Sequence, residues 1–232
     1  MENQPYMKMW IYGWLLIPAS SAILALMTNN FGFKAGVAGS GILIILLFFF
    51  RRLKQTRGVW LIILAFFFSI AGDWCLSNRN GDARMFTAGI LLFFIAHAGY
   101  LSFSLANGKI NWKLTIILLA GYLTFFTLEL YPSSNNQILL FASLAYLLIS
   151  CLSLGAAAGI KGPLFVRWFY FSGIFLILFS DTIIAFKEFL NVVSLNYMIL
   201  PTYYLAQIFI TAAIIRKGWK TNQQSQIYRS FC

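Results

Sequence analysis

Two aspartates stand alone in long apolar stretches of this chain, Asp73 directly after Gly72 and Asp181 directly after Ser180. A carboxylate inside a bilayer is energetically expensive, so such a residue usually marks a functional site. Two carboxylates in a low-dielectric pocket resist ionising together, so one can act as a general acid while the other acts as a base on water. This pair suits reactions that pass through an oxocarbenium ion, such as the hydrolysis of a glycoside or an enol ether.

A structural role is the alternative interpretation of both aspartates. A buried Asp can hydrogen-bond a neighbouring helix or pair with a cation. Arg79 and Arg84 lie close to Asp73 in the sequence and could be its cation. Lys187 follows Asp181, but its long side chain can extend to the membrane interface instead. Two such aspartates in similar settings favour a shared site over two separate packing roles.

Further polar side chains occur in the apolar stretches that follow each aspartate. His97 and Tyr100 share one helix face, as do Tyr204 and Gln207, because residues three positions apart lie on the same side of a helix. The alternatives are a buried structural histidine and, for Tyr203 and Tyr204, an aromatic belt at the membrane interface. The interpretation as a site predicts that these five residues bind substrate: His97, Tyr100, Tyr203, Tyr204 and Gln207.

Other chemistries lack the residues that they require. The single histidine and the three scattered cysteines provide no usual zinc site, so we expect neither a metal nor another cofactor. The chain has no GxSxG nucleophile elbow and no GxxxxGK[ST] phosphate loop, which argues against a serine hydrolase and a P-loop enzyme. The net charge of +11 comes from basic residues between apolar runs, a pattern typical of membrane topology, so we expect no nucleic-acid partner.

The composition identifies an all-α, polytopic membrane protein. Hydrophobic residues make up 60% of the chain and charged residues only 10%, far fewer than a soluble domain exposes. The apolar runs are long enough to cross a bilayer. We therefore predict a single eight-helix transmembrane domain over residues 1–215 and a basic cytoplasmic tail over 216–232. The eight predicted spans are 10–28, 35–50, 58–77, 85–105, 113–131, 137–157, 164–186 and 196–215.

The basic residues predict the orientation of these spans. Four of them lie on one side of an eight-span arrangement (Lys34, Arg79, Arg84 and Lys187), and all other lysines and arginines lie on the opposite side. By the positive-inside rule, both termini are then cytoplasmic. At about 1.5 Å per residue, both aspartates lie at a similar depth in the outer half of spans three and seven. The matching arrangement of the two halves predicts a parallel repeat of four plus four spans.

Four segments, in order along the chain, resemble the YhhN family of integral membrane lysoplasmalogenases. They are Gly72-Asp73; Phe86, Gly89, Phe94, His97 and Tyr100; Ser180-Asp181; and Thr202-Tyr203-Tyr204-x-x-Gln207. The resemblance covers most of the chain from about residue 58 onward. Trp74 and Cys75, directly after Asp73, are bulkier than the family pattern leads us to expect, which bears on the shape of the pocket.

The resemblance implies a hydrolase that cleaves the vinyl ether bond of lysoplasmalogens. The implied products are a fatty aldehyde and glycerophosphoethanolamine or glycerophosphocholine. Asp73 and Asp181 would be the catalytic carboxylates, and the five polar residues named above would bind the headgroup or position water. The expected partners are a lysophospholipid with a vinyl ether and the surrounding membrane lipids. The expected location is a bacterial cytoplasmic membrane.

Two other functions are compatible with the same residues. A proton-coupled transporter of lipids or small molecules would also place carboxylates within the membrane and use repeated halves. A lipid-binding or assembly protein without catalysis would hold a lipid chemically intact. Turnover of a lipid by the purified protein separates the hydrolase from both alternatives.

Overall fold

The computed structural model describes residues 13–49 and 58–230, and only the backbone of residues 218–230. Within these ranges the chain forms eight main α-helices and no β-strand, which confirms the all-α prediction. The helices are α1 Leu16–Thr28, α2 Phe31–Phe49, α3 Val59–Ser77, α4 Ala83–Asn107, α5 Trp112–Phe125, α6 Gln137–Ala158, α7 Leu164–Leu190 and α8 Asn196–Ser230.

Seven of these helices, with α5 counted together with its helical continuation to Ser133, are long and apolar enough to cross a membrane, so the chain is a membrane protein. The remaining helix, α1, has 13 residues in the described part of the chain. Residues 10–12, the start of the first predicted span, lie outside the described residues. The other seven predicted spans correspond one to one with α2–α8, because each apolar run is long and is bounded by polar or glycine-containing turns.

Both α7 and α8 extend beyond their predicted spans. The left-handed backbone of Asn191, with a φ of 55°, ends α7 after Leu190. Helix α8 runs on to Ser230, so the backbone of the predicted tail is helical throughout its described part. Hydropathy marks where a helix leaves the apolar layer, whereas a helix itself continues as long as its residues favour helical backbone. This difference explains why the predicted ends fall short.

The fifth span is irregular at its second end. Helix α5 passes into a π-helical turn, Phe126–Leu130, and then into a short helical segment, Tyr131–Ser133, that contains Pro132. Phe126 and Leu130 are buried, whereas most of this span faces outward. π-Helical turns are frequent beside functional sites. Here the turn lies next to a pocket described below.

Two closely packed helix pairs, α3 with α4 and α7 with α8, form most of the core. Each pair has a glycine where the backbones meet. A Cβ atom on Gly99 would lie 2.8 Å from the carbonyl oxygen of Leu61, and one on Gly173 would lie 3.0 Å from that of Ala206. Small residues permit such close helix crossings in membranes. Helix α6 packs against both α4 and α7 and so connects the two pairs.

Replacing Gly99 by leucine is expected to lower the melting temperature of the detergent-solubilised protein. The new side chain would meet the backbone of α3, and overpacking of this kind costs about 1–3 kcal/mol. Gly121→Leu is the matched control, because no atom lies within 4 Å of a Cβ at that exposed position of α5. Equal melting temperatures for the two variants would contradict the close packing of α3 and α4.

The connections between helices meet in pairs at the two ends of the bundle. At one end, the backbone amide of Lys109 donates to the carbonyl of Gly159, and the amide of Lys161 donates to the carbonyl of Asn107. At the other end, Arg79 after α3 contacts Glu188 in the last turns of α7. These contacts agree with the prediction that successive spans run in opposite directions. Which end faces the cytoplasm stays a prediction.

Candidate active site

The two isolated aspartates face one cavity of about 260 Å³ at the end of the bundle that holds Arg79. Helix α3 contributes Asp73 and α7 contributes Asp181. Beside Asp181, the Ser180 hydroxyl donates a 3.0 Å hydrogen bond to the carbonyl oxygen of Ile199, which connects α7 to α8. The two carboxylates therefore share one cavity between helices α3, α7 and α8.

Asp181 is surrounded by polar groups of α4 and α6. The hydroxyl of Tyr146 donates a 2.5 Å hydrogen bond to Asp181 Oδ2. His97 Nε2 lies 3.6 Å from the same oxygen, and the imidazole meets the Tyr146 ring edge to face at 5.2 Å. Neither ring nitrogen of His97 has a hydrogen-bond partner in the described part of the chain. The side chain of Asp181 is only 13% exposed, so these contacts restrict its orientation.

Asp73 accepts a 3.2 Å hydrogen bond at Oδ2 from the hydroxyl of Tyr203 on α8. Gly72 makes this arrangement possible, because a Cβ atom there would lie 2.9 Å from the Phe93 ring. Phe93 in turn packs edge to face against Tyr203, with ring centroids 6.2 Å apart. The absence of a side chain at Gly72 therefore lets α4 supply the aromatic ring that supports the partner of Asp73.

Each aspartate contacts a polar residue from the other half of the chain. Asp73 of α3 is bonded by Tyr203 of α8, whereas Asp181 of α7 approaches His97 of α4. The aspartate of the first half therefore contacts the last helix of the second half, and the aspartate of the second half approaches the last helix of the first half. This crossed arrangement agrees with a parallel repeat of four plus four helices, although the repeat itself stays a prediction.

The five predicted binding residues fall into two groups. Tyr203 and Tyr204 line the cavity, but His97, Tyr100 and Gln207 are fully buried and do not contribute to its lining. The hydroxyl of Tyr100 lies 3.5 Å from a serine hydroxyl of α3. Both side-chain amide atoms of Gln207 and the hydroxyl of Tyr204 are buried without a hydrogen-bond partner among the described residues.

Arg79 does not pair with Asp73. The structural alternative in which Arg79 is the cation that neutralises Asp73 is therefore wrong. Its guanidinium donates to both carboxylate oxygens of Glu188, each at 2.7 Å. The Lys187 ammonium lies 3.7 Å from the same carboxylate, not beside Asp181. Arg79 follows the end of α3, where the chain turns away from Asp73 toward the end of α7. Closeness in sequence therefore does not predict the partner.

The predicted site does not include Tyr146, although this residue makes the shortest hydrogen bond to either aspartate. Tyr146 lies on one stripe of α6 with Ser143 and Ser150 at helical spacing. This polar stripe in an apolar span is the feature of the sequence that could have identified Tyr146 as a site residue. Within residues 13–49 and 58–230, no cluster of three His, Cys, Asp or Glu side chains could hold a metal ion.

A second, apolar pocket of about 80 Å³ adjoins the polar cavity. It lies between α4, α5, α6 and α7, and the π-helical turn contributes Leu130 to its wall. Asp181 lies where the two spaces meet, so one carboxylate borders both a polar and an apolar chamber. The residues that line both spaces are Leu76, Phe86, Phe93, Asp181 and Ile184.

The bulky residues that follow Asp73 lie away from both chambers. Trp74 is 50% exposed on the outer surface of α3. Cys75 is buried, where α3 packs against Gly89 of α4. Neither residue contributes to the lining of the cavity or of the apolar pocket. The departure from the expected family pattern at these positions therefore leaves the chambers unobstructed.

The family model for the YhhN family matches residues 33–214, which is most of the chain. The chain belongs to the YhhN family. In this YhhN protein, the matched region includes both aspartates, Tyr146 and most of α2 through the apolar part of α8. The resemblance carried by the four sequence segments is thereby confirmed. Comparisons with curated proteins and with solved structures gave no match.

Proposed function

We propose that this YhhN protein hydrolyses the vinyl ether bond of lysoplasmalogens to a fatty aldehyde and glycerophosphoethanolamine or glycerophosphocholine. The observation that carries the proposal is the position of Asp181 between a polar and an apolar chamber. A lysoplasmalogen has a polar glycerophosphate on one side of its vinyl ether and an apolar chain on the other. Its reactive bond therefore fits the junction, and membership of the YhhN family supports this assignment.

The reaction requires one proton donor and one proton acceptor, and Asp73 and Asp181 supply both. One carboxylic acid protonates the vinyl carbon nearer the chain, and the π electrons form the new C–H bond, which leaves an oxocarbenium ion. The other carboxylate takes a proton from water as the water oxygen bonds to the cationic carbon, giving a hemiacetal. The second carboxyl then gives that proton to the ether oxygen while the first carboxylate takes the proton of the hemiacetal hydroxyl, so that the C–O bond breaks and the aldehyde and the glycerol hydroxyl are released.

The tyrosines position the two acids in this scheme. Tyr146 and Tyr203 each donate to Oδ2 of their aspartate. In the described part of the chain, Oδ1 of each aspartate has no hydrogen-bond partner, which leaves it available to a substrate or a water molecule. Fixed geometry of this kind is what converts a nearby acid into an effective catalyst.

Aldehyde release by the purified protein tests this function. The assay compares a lysoplasmalogen with a lysophospholipid that has the same headgroup and chain length but an ordinary ester. We expect aldehyde from the vinyl ether and no fatty acid from the ester, since the mechanism needs an enol ether carbon that can accept a proton. A transporter or lipid-binding protein would leave both lipids intact, and fatty acid release without aldehyde would contradict the proposal.

A further inference from the structure

The polar cavity contains a lysine that the proposed reaction does not use. Lys34, in the first turns of α2, lines the cavity and is half-buried. Its ammonium makes no ion pair and no hydrogen bond within the described part of the chain. A half-buried ammonium without a partner, on the wall of a polar cavity, points to an anionic ligand.

The other charged residues of the cavity, apart from the two aspartates, carry further positive charge. Arg79 and Lys187 both contact Glu188, and the bidentate contact with Arg79 occupies both oxygens of that carboxylate. The described charged residues of the lining are three cations, the two aspartates and Glu188. With one aspartate protonated, as the proposed reaction requires, three cations face two ionised carboxylates, and both oxygens of Glu188 are already occupied.

Neutral groups of the same wall also lack partners. The hydroxyl of Tyr204 and Oδ1 of Asn196 are buried, line the cavity and have no hydrogen-bond partner among the described residues. Buried polar groups are almost always satisfied in native proteins. A phosphate oxygen can accept from Tyr204, and the free glycerol hydroxyl of a lysolipid can donate to Asn196. Both groups therefore suit a glycerophosphate.

We propose that Lys34, together with Lys187 at the cavity edge and Tyr204 inside it, forms a subsite that binds the phosphate of the substrate. This inference rests on the proposed function and assigns the residues that hold the substrate's phosphate group.

A role for Lys34 as the counterion of Asp73 is the competing explanation. A counterion would affect the cleavage of every substrate, whereas a phosphate subsite affects only substrates that contain phosphate. Aldehyde release from 1-alkenylglycerophosphoethanolamine and from 1-alkenylglycerol, which lacks phosphate, distinguishes the two. The variants are Lys34→Gln, Lys34→Arg and, as a matched control, Lys113→Gln at an exposed position near the opposite end of the bundle.

Lys34→Gln is expected to raise KM for the phosphate-containing substrate about tenfold, because charge-assisted hydrogen bonds are the strong ones. The kcat/KM for 1-alkenylglycerol should stay at the wild-type value. Lys34→Arg should restore most of the affinity, and Lys113→Gln should change neither substrate. Equal losses on both substrates, or no loss on either, would overturn the proposal.

A binding experiment tests the subsite without requiring hydrolysis. Ester lysophosphatidylethanolamine and a monoacylglycerol of the same chain length are added to the purified protein, and the melting temperature is measured, since a bound ligand stabilises the folded state. The subsite predicts that the phospholipid raises the melting temperature more than the monoacylglycerol does, and that this difference disappears in Lys34→Gln. This result would support the subsite even in a protein that released no aldehyde. Aldehyde release combined with equal stabilisation by both lipids would refute the subsite alone.

Discussion

Asp73→Asn and Asp181→Asn are each expected to lower the rate of aldehyde release from a lysoplasmalogen by about a hundredfold or more, because positioned acids and bases contribute about 10²–10⁴-fold to catalysis. Asparagine keeps the size of the side chain and can still accept from the tyrosine hydroxyl, but it neither donates nor takes up the transferred proton. The measurement is kcat and KM of each purified variant, and the loss should fall mainly on kcat.

Asp82→Asn is the matched control for these two variants. Asp82 is exposed and caps α4 by accepting a 2.7 Å hydrogen bond from the backbone amide of Arg84, a role that asparagine also performs. Its rate should equal that of the wild type. Wild-type rates in both cavity variants, with unchanged melting temperatures, would show that the carboxylate mechanism is wrong.

Tyr146→Phe is expected to lower kcat about tenfold to a hundredfold, since small misplacements of a catalytic group have effects of this size. The variant removes the 2.5 Å hydrogen bond to Asp181 and keeps the ring that packs against His97. Tyr146 is a positioning residue, so KM should change little.

Tyr170→Phe tests whether any buried tyrosine hydroxyl would have the same effect. The hydroxyl of Tyr170 donates a 2.9 Å hydrogen bond to the backbone carbonyl of Tyr100, and Tyr170 lines neither chamber. Its removal should lower stability without lowering kcat. The same loss of kcat in both tyrosine variants would contradict a specific role for Tyr146.

The helices and the two aspartates were predictable from the sequence for the same reason. A bilayer requires long apolar runs, and it makes an ionisable residue inside such a run conspicuous. Both properties are local, so α2–α8 and the pair Asp73 and Asp181 can be read without knowledge of packing. The bounds of α7 and α8 were less predictable, because both helices continue past the apolar layer.

The partners of the aspartates depend on how distant helices cross and could not be read from the sequence. The serines at helical spacing mark a polar stripe that includes Tyr146, but the sequence does not show that this stripe faces Asp181 until α6 packs against α7. In the sequence, Lys34 looks like any lysine at a membrane interface. Only the position of α2 beside α3 places it on the cavity wall. Arg79 is near Asp73 in sequence, but the turn after α3 directs it to Glu188.

The most direct test of carbon protonation at the junction is the mass of the aldehyde that the purified protein releases from a lysoplasmalogen in D₂O. The account predicts one deuterium on the carbon next to the aldehyde carbonyl, beyond the exchange seen when the finished aldehyde is incubated with the protein in D₂O. Aldehyde that carries only hydrogen at that carbon, or no aldehyde at all, would contradict it.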